Sequence, residues 1–589
     1  MTINTILGTD GNDKLKATDS VDLISALSGN DTIEFVGQQD TVEMGSGKDS
    51  LMISGSFDFG SAYGEDGNDT LFLRRGTSIV DGHIESGTGN DLIKFVGSSN
   101  LESSWVSGNS GEDRIIVRGD VINSSVLGGS TDSTDDDGDN LDISGSVLNS
   151  YIVSNQGNDT INITNDVNEK SIVSGGLNDD SLYIGGIVSN SSVLGGKGSD
   201  EIYLNNNVTN STVFGSNAGD ASSDTGDNIY VDGEVLNSFV SGNGGNDTMI
   251  FDNNIRKSTI HGGSSNDIIS VDTIDNSVII GGKGGDSINI NQQELLRVDV
   301  YGGSSVGSGV GNDTIDIKIN NNILTSTILG SEGSDLINVK VRNYNSEIVG
   351  SIISGKGGND KMTLQGSLIH SSVMAGRGDD TMVYSYLHDD MLSSSVYMGI
   401  GNDSLVMNNL YNGTANLDGA NSHSQDGDDI FKSSKLVSSG VYGYGGHDTI
   451  EVDSSIDSTI IGGTGNDLID IKSVENSTIV SGGGDDTITL GSNSNVSYVF
   501  DKNDDTDRIL FGDGEQPDNF TVLFKGLTDE QVKNIQVGTL YGTNSAILVY
   551  GGSTLILGNI STSSITTEEG KLKDGVGINF KGVDNQVVF

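Results

Sequence analysis

The chain has no cysteine, one proline and one tryptophan in 589 residues. Without cysteine there are no disulfides, no thiol catalysis and no thiolate metal sites, so the fold must rest on backbone ladders, a packed core or an oxygen-ligated metal. Positive charge is scarce as well: 30 lysines and arginines stand against 83 aspartates and glutamates, a formal charge of −53. Nucleic acid and anionic lipid would be repelled by such a surface, and the charge opposes any compact state unless cations neutralise it. There is no apolar run long enough to cross a membrane. Residues 1–7 show no basic segment followed by an apolar stretch, so no ordinary secretory signal is read there. Apolar residues make up only 33% of the chain, which taken alone suits disorder.

What is abundant is glycine, 85 residues without the every-third spacing of collagen. It recurs in turns closed by an aspartate and followed by alternating apolar residues, as in Gly281-Gly282-Lys283-Gly284-Gly285-Asp286-Ser287-Ile288-Asn289-Ile290. The closing residues are Asp13, Asp31, Asp49, Asp69, Asp91, Asp113, Asp159, Asp180, Asp200, Asp247, Asp267, Asp286, Asp313, Asp335, Asp360, Asp380, Asp403, Asp448, Asp467 and Asp486, with degenerate turns at Asp139, Asp227 and Asp429. Most are 18 to 23 residues apart. A period near 20 with two-residue alternation marks stacked β coils. The expected fold is all-β, a right-handed parallel β-roll or β-helix solenoid of about 24 coils. It occupies residues 1–507, and residues 508–589 form a small C-terminal β-rich cap.

Each coil reads as two strands and two bends. Between Asp159 and Asp180, Ile161 and Ile163 face inward, residues 168–170 carry the chain round, and Ile172 or Val173 lines the second face. Residues 8–60 are the most regular: Asp13, Asp22, Asp31, Asp40, Asp49 and Asp58 are nine apart, two nonapeptides per coil. Over 61–507 only one edge keeps the glycines and aspartate. The other becomes a bend of the form Asn-Ser-Ser/Thr-Val/Ile, as in Asn190-Ser191-Ser192-Val193, Asn210-Ser211-Thr212-Val213 and Asn476-Ser477-Thr478-Ile479, with Lys257-Ser258-Thr259-Ile260 a variant. The extra residues of these longer coils are placed at this bend. Val193, Val213, Ile260 and Ile479 are expected in the core, and the Ser or Thr before each bonds along the stack. Trp105 is read at the same position, as core or rim. Polar insertions at 131–137, 217–225, 304–310 and 421–425 lengthen four coils; they fit either a lateral contact comb or an ancestral four-coil duplication.

Stacked coils lie about 4.8 Å apart, so the closing aspartates form a file of carboxylates that repel one another unless paired. Glycine lets neighbouring carbonyl oxygens converge on the same edge. Carboxylates interleaved with carbonyls make an oxygen cage, which suits calcium rather than zinc or copper. About 20 calcium ions, one for each well-formed turn, would cancel most of the charge. The twenty aspartates named first are the candidate ligands.

These turns resemble the GGxGxDxUx nonapeptide of the RTX (hemolysin-type calcium-binding) family, best in Gly195-Gly196-Lys197-Gly198-Ser199-Asp200, Gly462-Gly463-Thr464-Gly465-Asn466-Asp467 and Gly482-Gly483-Gly484-Asp485-Asp486. The resemblance covers residues 8–507. It implies a parallel roll that folds on binding calcium, and export by a type I secretion system that reads an uncleaved C-terminal signal. The ending Asp584-Asn585-Gln586-Val587-Val588-Phe589 is similar to such a signal. Family rolls carry calcium along both edges with 18-residue coils; the departure here puts a second row in doubt.

No catalytic constellation stands out. His83, His261, His370, His388, His423 and His447 are scattered without zinc-site spacing, and His447 reads as a solvated turn residue. Gly303-Ser304-Ser305-Val306-Gly307 fits the letters of a nucleophile elbow but lies in a polar insertion with no helix pattern after it. The protein is expected not to be an enzyme. It reads as a calcium-stabilised structural protein of the extracellular space or cell surface, self-associating into a surface layer or filament, with cell-surface polysaccharide a further partner. The alternatives are a phage or particle-surface fibre and a calcium-dependent carbohydrate-binding or adhesive module.

Overall fold

A computed structural model describes residues 3–583, apart from 36, 78, 98, 130–135, 217–223, 305–310, 344, 385–389, 419–426, 503, 513–517 and 568–569. The insertions at 131–137, 217–225, 304–310 and 421–425 therefore lie wholly or largely outside the described residues, as do Ser305 to Gly307 and the ending at 584–589. The chain divides into two compact units, Met1–Ile290 and Asn291–Phe589. Both are right-handed parallel β-solenoids, and their turns together number about 24. Among the described residues no helix is long and apolar enough to cross a membrane.

In the first unit every coil lies in parallel register on the next. Thr160, Ile161 and Ile163 pair with Ser181, Leu182 and Ile184, while Val173 pairs with Val193 and Val193 with Val213. The alternation decides the core: Ile161, Ile163, Val167 and Val173 are fully buried, and Ile172 is only half-buried. Burying four apolar side chains contributes about 1.5–3 kcal/mol each, little for a coil of some twenty ordered residues. Much of the cohesion must come from what joins one coil to the next.

The coil differs from expectation in where its extra residues sit. From the second bend to the closing aspartate is nine residues, as in Asp40 to Asp49, Ser150 to Asp159 and Ser191 to Asp200. The opposite half grows instead, from nine residues between Asp31 and Asp40 to eleven between Asp180 and Ser191. There the chain forms a separate two-residue strand, such as Val167–Asn168 or Val188–Ser189, giving three strands per coil rather than two. Later coils fuse the pieces, as in Thr248–Arg256 and, in the second unit, Leu468–Glu475.

The second bend is tight. Its first residue adopts the left-handed conformation, with φ of +49° at Asn190, Asn210, Lys257 and Asn476. Asparagine tolerates that region better than other non-glycine residues, which explains its recurrence. Val193, Val213, Ile260 and Ile479 are fully buried as expected. The ladder along the stack is built by the serine one residue earlier than expected. Ser104, Ser124, Ser150, Ser191, Ser211, Ser238 and Ser258 each donate the backbone N–H to the Oγ of the serine above, at 3.0–3.2 Å. In the second unit Ser326, Ser351, Ser371, Ser439 and Ser458 do the same. Ser192 and Thr212, in the predicted position, make a 2.9 Å bond of their own on the outer side.

Two sequence assignments shift by a residue or two. Trp105 corresponds to Ser192 rather than Val193; it is 40% exposed and stacks on His83 at 6.3 Å, while Val106 enters the core. Asp58 does not continue the second-edge series either. Asp22 donates its N–H to Asp40 Oδ1 at 2.7 Å, but the next two positions are filled by Gly60 and Gly82, and Gly82 hands over to Ser104.

In the second unit the parallel ladders run through Thr506–Phe511 and Phe520–Lys525 to Ser553–Gly558 and Ile578–Val583. Ala546–Tyr550 and Val537–Thr539 then pair antiparallel. The expected helical turn is present as Asp529–Val532, with a capping box between Thr528 and Gln531. Here the core becomes aromatic, with Phe511 edge-on to Phe520 and Phe500 edge-on to Phe524.

Ser211 tests the serine ladder. Its Oγ accepts the Ser191 N–H and donates to the Thr209 carbonyl at 2.8 Å. Ser211→Ala leaves the buried Ser191 N–H without its acceptor and should cost about 1–3 kcal/mol in urea unfolding; an unchanged midpoint would show the ladder to be incidental.

Candidate metal centre

The glycine turns are shaped by the closeness of the coils. In the turn closed by Asp200, Gly196 and Gly198 both have φ of +136°, and a Cβ on Gly196 would run into the Gly176 carbonyl of the coil below. Gly195 is needed for another reason. A side chain there would occupy the space taken by the carboxylate of Asp200 and the carbonyl of Gly215 on the next coil.

The closing aspartates form a continuous hydrogen-bonded ladder within each unit. In the first, the N–H groups of Asp13, Asp31, Asp49, Asp69, Asp91, Asp113, Asp139, Asp159, Asp180, Asp200, Asp227, Asp247 and Asp267 each donate to Oδ1 of the next, ending on Asp286, at 2.6–2.9 Å. In the second, Asp313, Asp335, Asp360, Asp380, Asp403, Asp429, Asp448 and Asp467 do so at 2.7–2.9 Å up to Asp486. Asp486 continues to Asp507 at 3.4 Å. All twenty predicted residues thus occupy equivalent places. Asp139, Asp227 and Asp429, set apart as degenerate in the sequence, take the same place, because the rung depends on the aspartate and not on the glycines before it.

This ladder uses only one carboxylate oxygen. The other, Oδ2, is buried and has no donor at Asp31, Asp49, Asp69, Asp91, Asp113, Asp139, Asp159, Asp180, Asp200, Asp227, Asp247, Asp267, Asp335, Asp360, Asp380, Asp467 and Asp486. At the first rung the need is met differently: Thr9 donates its backbone N–H and hydroxyl to Asp13 Oδ2 at 2.6 and 2.9 Å. Burial, only partly offset by hydrogen bonds to the carboxylate, raises Asp69, Asp91, Asp113, Asp139, Asp159, Asp180, Asp200, Asp227, Asp247 and Asp267 above the usual carboxylate range. Asp91 and Asp159 reach about 6, Asp200 and Asp247 about 7, Asp113 about 8, and Asp180 and Asp267 about 9. Repulsion between successive rungs adds to the shift at Asp180 and Asp267.

The serine edge is an internal control. Ser211 Oγ receives a backbone N–H just as Asp200 Oδ1 does, without a charge. Hydrogen bonding alone therefore does not require aspartate. Among the described residues no three Asp, Glu, His or Cys side chains converge, so a cation at this edge would have to be held by one or two carboxylates and backbone carbonyls. That donor set is present: Oδ2 of Asp200 lies beside the Gly215 carbonyl, and Oδ2 of Asp113 beside that of Gly128. Hard oxygen donors with a buried, undonated charge fit calcium.

A second ladder escaped the sequence reading. In many coils an Asn or Asp before the closing aspartate accepts from the coil above: Asn30 from Lys48 at 2.8 Å, Asn312 from Ser334 at 2.8 Å and Asp379 from Asn402 at 2.9 Å. His447 is an exposed member, donating its N–H to Asp428 and accepting the Asn466 N–H on Nδ1, both at 2.7 Å. The recurrent Asn-Asp pair was its visible signal. At the opposite edge, among the described residues, Asp22 and Asp40 form the one carboxylate rung of this kind.

No protein-family model matches the chain, and no curated protein matches it significantly. Among solved structures it is similar to the X-ray structure of a hyperactive, Ca2+-dependent, β-helical antifreeze protein from an Antarctic bacterium, at 17% identity and a TM-score of 0.21. The match covers 69% of this chain and 85% of that one.

The raised carboxyls carry a pH signature. Because the folded state holds protons that the unfolded chain releases near pH 4, their cost is absent below that pH and grows as pH rises through about 6 to 9. Chelator-treated protein should melt at a lower temperature at pH 8 than at pH 5, and calcium should remove the difference. A metal-free melting temperature that climbs over this range would contradict the assignment.

Proposed function

We propose that this chain is a calcium-stabilised extracellular structural protein whose solenoid is itself the product. The observation that carries the reading is the file of buried Asp Oδ2 atoms without donors, kept at one edge while the other makes the same backbone bonds with neutral serine. The closing aspartates, with carbonyls such as those of Gly128 and Gly215, would hold the ions. Calcium bound there supplies the positive charge that the ladder lacks. The residues themselves fix the site: glycine admits the carbonyls, Oδ1 sets the spacing of the coils, and Oδ2 is left facing inward.

Coupled folding and location follow from mass action. In a calcium-poor cytoplasm the chain repels itself; outside the cell, calcium binds the folded state preferentially and stabilises it. This supports an RTX-like route of export before folding, and a role on or beyond the cell surface. Both units consist almost wholly of coils, which favours assembly of the solenoid into a surface layer or filament over presentation of a separate module.

The test is imaging and circular dichroism of the purified chain with calcium and after EGTA dialysis. Ordered sheets or filaments with strong β signal in calcium, both lost with EGTA, are expected. Unchanged spectra with no bound metal would overturn the calcium reading, and discrete trimers would favour a fibre over a layer.

A further inference from the structure

Two long coils of the first unit rebuild the turn in a different way. In ordinary coils the residue three before the closing aspartate offers its backbone carbonyl to a glycine N–H of the coil below: Thr88 accepts from Gly67 and Ser110 from Gly89, both at 2.8 Å. In the coil closed by Asp139 that place belongs to Asp136. The corresponding N–H, of Gly111, is met there by the side chain, Asp136 Oδ1, at 3.3 Å. Four coils on, Asp224 in the coil closed by Asp227 does the same for Gly198 at 3.1 Å. Each of these turns has exchanged a neutral carbonyl for a carboxylate at an equivalent place.

The exchange leaves a second oxygen. Asp136 Oδ2 is buried without a donor and fills the space in front of Gly129. Asp139 Oδ2, also undonated, fills the space in front of the adjacent Gly128, while the Gly128 carbonyl and Asp113 Oδ2 share the space in front of Gly108 on the coil below. Asp113 and Asp139 are both 2% exposed, so these oxygens face into the turn and not into water. An asparagine at 136 would serve Gly111 equally well at no electrostatic cost, so the hydrogen bond does not account for the charge.

We propose that the turns closed by Asp139 and Asp227 form a separate class of calcium site, tighter than the ordinary turns, with Asp136 and Asp224 as the added ligands. The inference rests on the calcium reading of the ladder and goes beyond it in dividing the ladder into two classes. Adding a carboxylate at such a turn raises its ligand charge, and ligand charge is a main control on calcium affinity.

Calorimetric titration of the chelator-stripped full chain with calcium chloride tests this, against Asp136→Asn and the double variant Asp136→Asn/Asp224→Asn. Asparagine keeps the acceptor for Gly111 and Gly198, and circular dichroism at saturating calcium checks that each variant folds. Wild type should show a minor class roughly tenfold or more tighter than the rest. The single variant should lose about half of that class and the double variant all of it, with the weaker class unchanged. Wild-type calcium binding that neither substitution alters would overturn this inference and leave the general reading standing. No calcium binding by the wild type would overturn both.

Discussion

The bond from one closing aspartate's backbone N–H to Oδ1 of the next commits the rest of this edge. It draws each carboxylate under the coil above, out of water, and fixes it against the first glycine of its own turn. At rungs such as Asp180, Asp200 and Asp267 the second oxygen is then buried with no donor. An unpaired buried carboxylate is among the more costly groups a fold can contain, and it either takes a proton or acquires a cation. The raised carboxyls describe the first outcome, and the carbonyls beside Oδ2 provide for the second. Glycine, aspartate and net charge are thus one feature seen three ways.

Comparing the two edges shows why the charge is not incidental. The serine ladder gives each N–H an acceptor and returns its own hydroxyl proton to a local carbonyl, so nothing is left over. Only the early coils carry aspartate on both sides, and there the series stops at Asp40 and yields through Gly60 and Gly82 to Ser104. An edge that needs only spacing uses serine. An edge that keeps aspartate through degenerate turns such as those at Asp139 and Asp227 needs the carboxylate for something more.

Much of this was legible in the sequence because the ladder demands one residue type at one place in every coil. Periodicity located all the rungs, and alternation chose Ile161, Ile163 and Val193 as core. What was misread lay where the chain is constrained by register and not by identity. A shift of one residue turns a strand position from core to surface, so Trp105, read as core or rim at the place of Val193, lies one residue before it and Val106 takes the core. Asp58 kept the nine-residue count but missed the rung, because a bend two residues later realigned the chain on Gly60. The role of Asp136 could not be read at all: its neighbours in sequence are acidic too, and only the place of Gly111 on the coil below singles it out.

Coil length varies according to the same logic. The half that runs from the second bend to the aspartate holds at nine residues in coil after coil, since one residue more would carry the carboxylate past the N–H it must meet. The opposite half ranges from nine residues between Asp31 and Asp40 to sixteen between Asp335 and Ser351. It has only to keep its apolar residues aligned, and it does so by breaking its strand in two or fusing it again. In two of the four coils where the constrained half is lengthened, those closed by Asp139 and Asp227, a side-chain carboxylate meets the glycine N–H that a backbone carbonyl meets elsewhere. In these two coils the added chain restores the glycine bond with a residue that brings more charge to a turn already closed by a buried carboxylate.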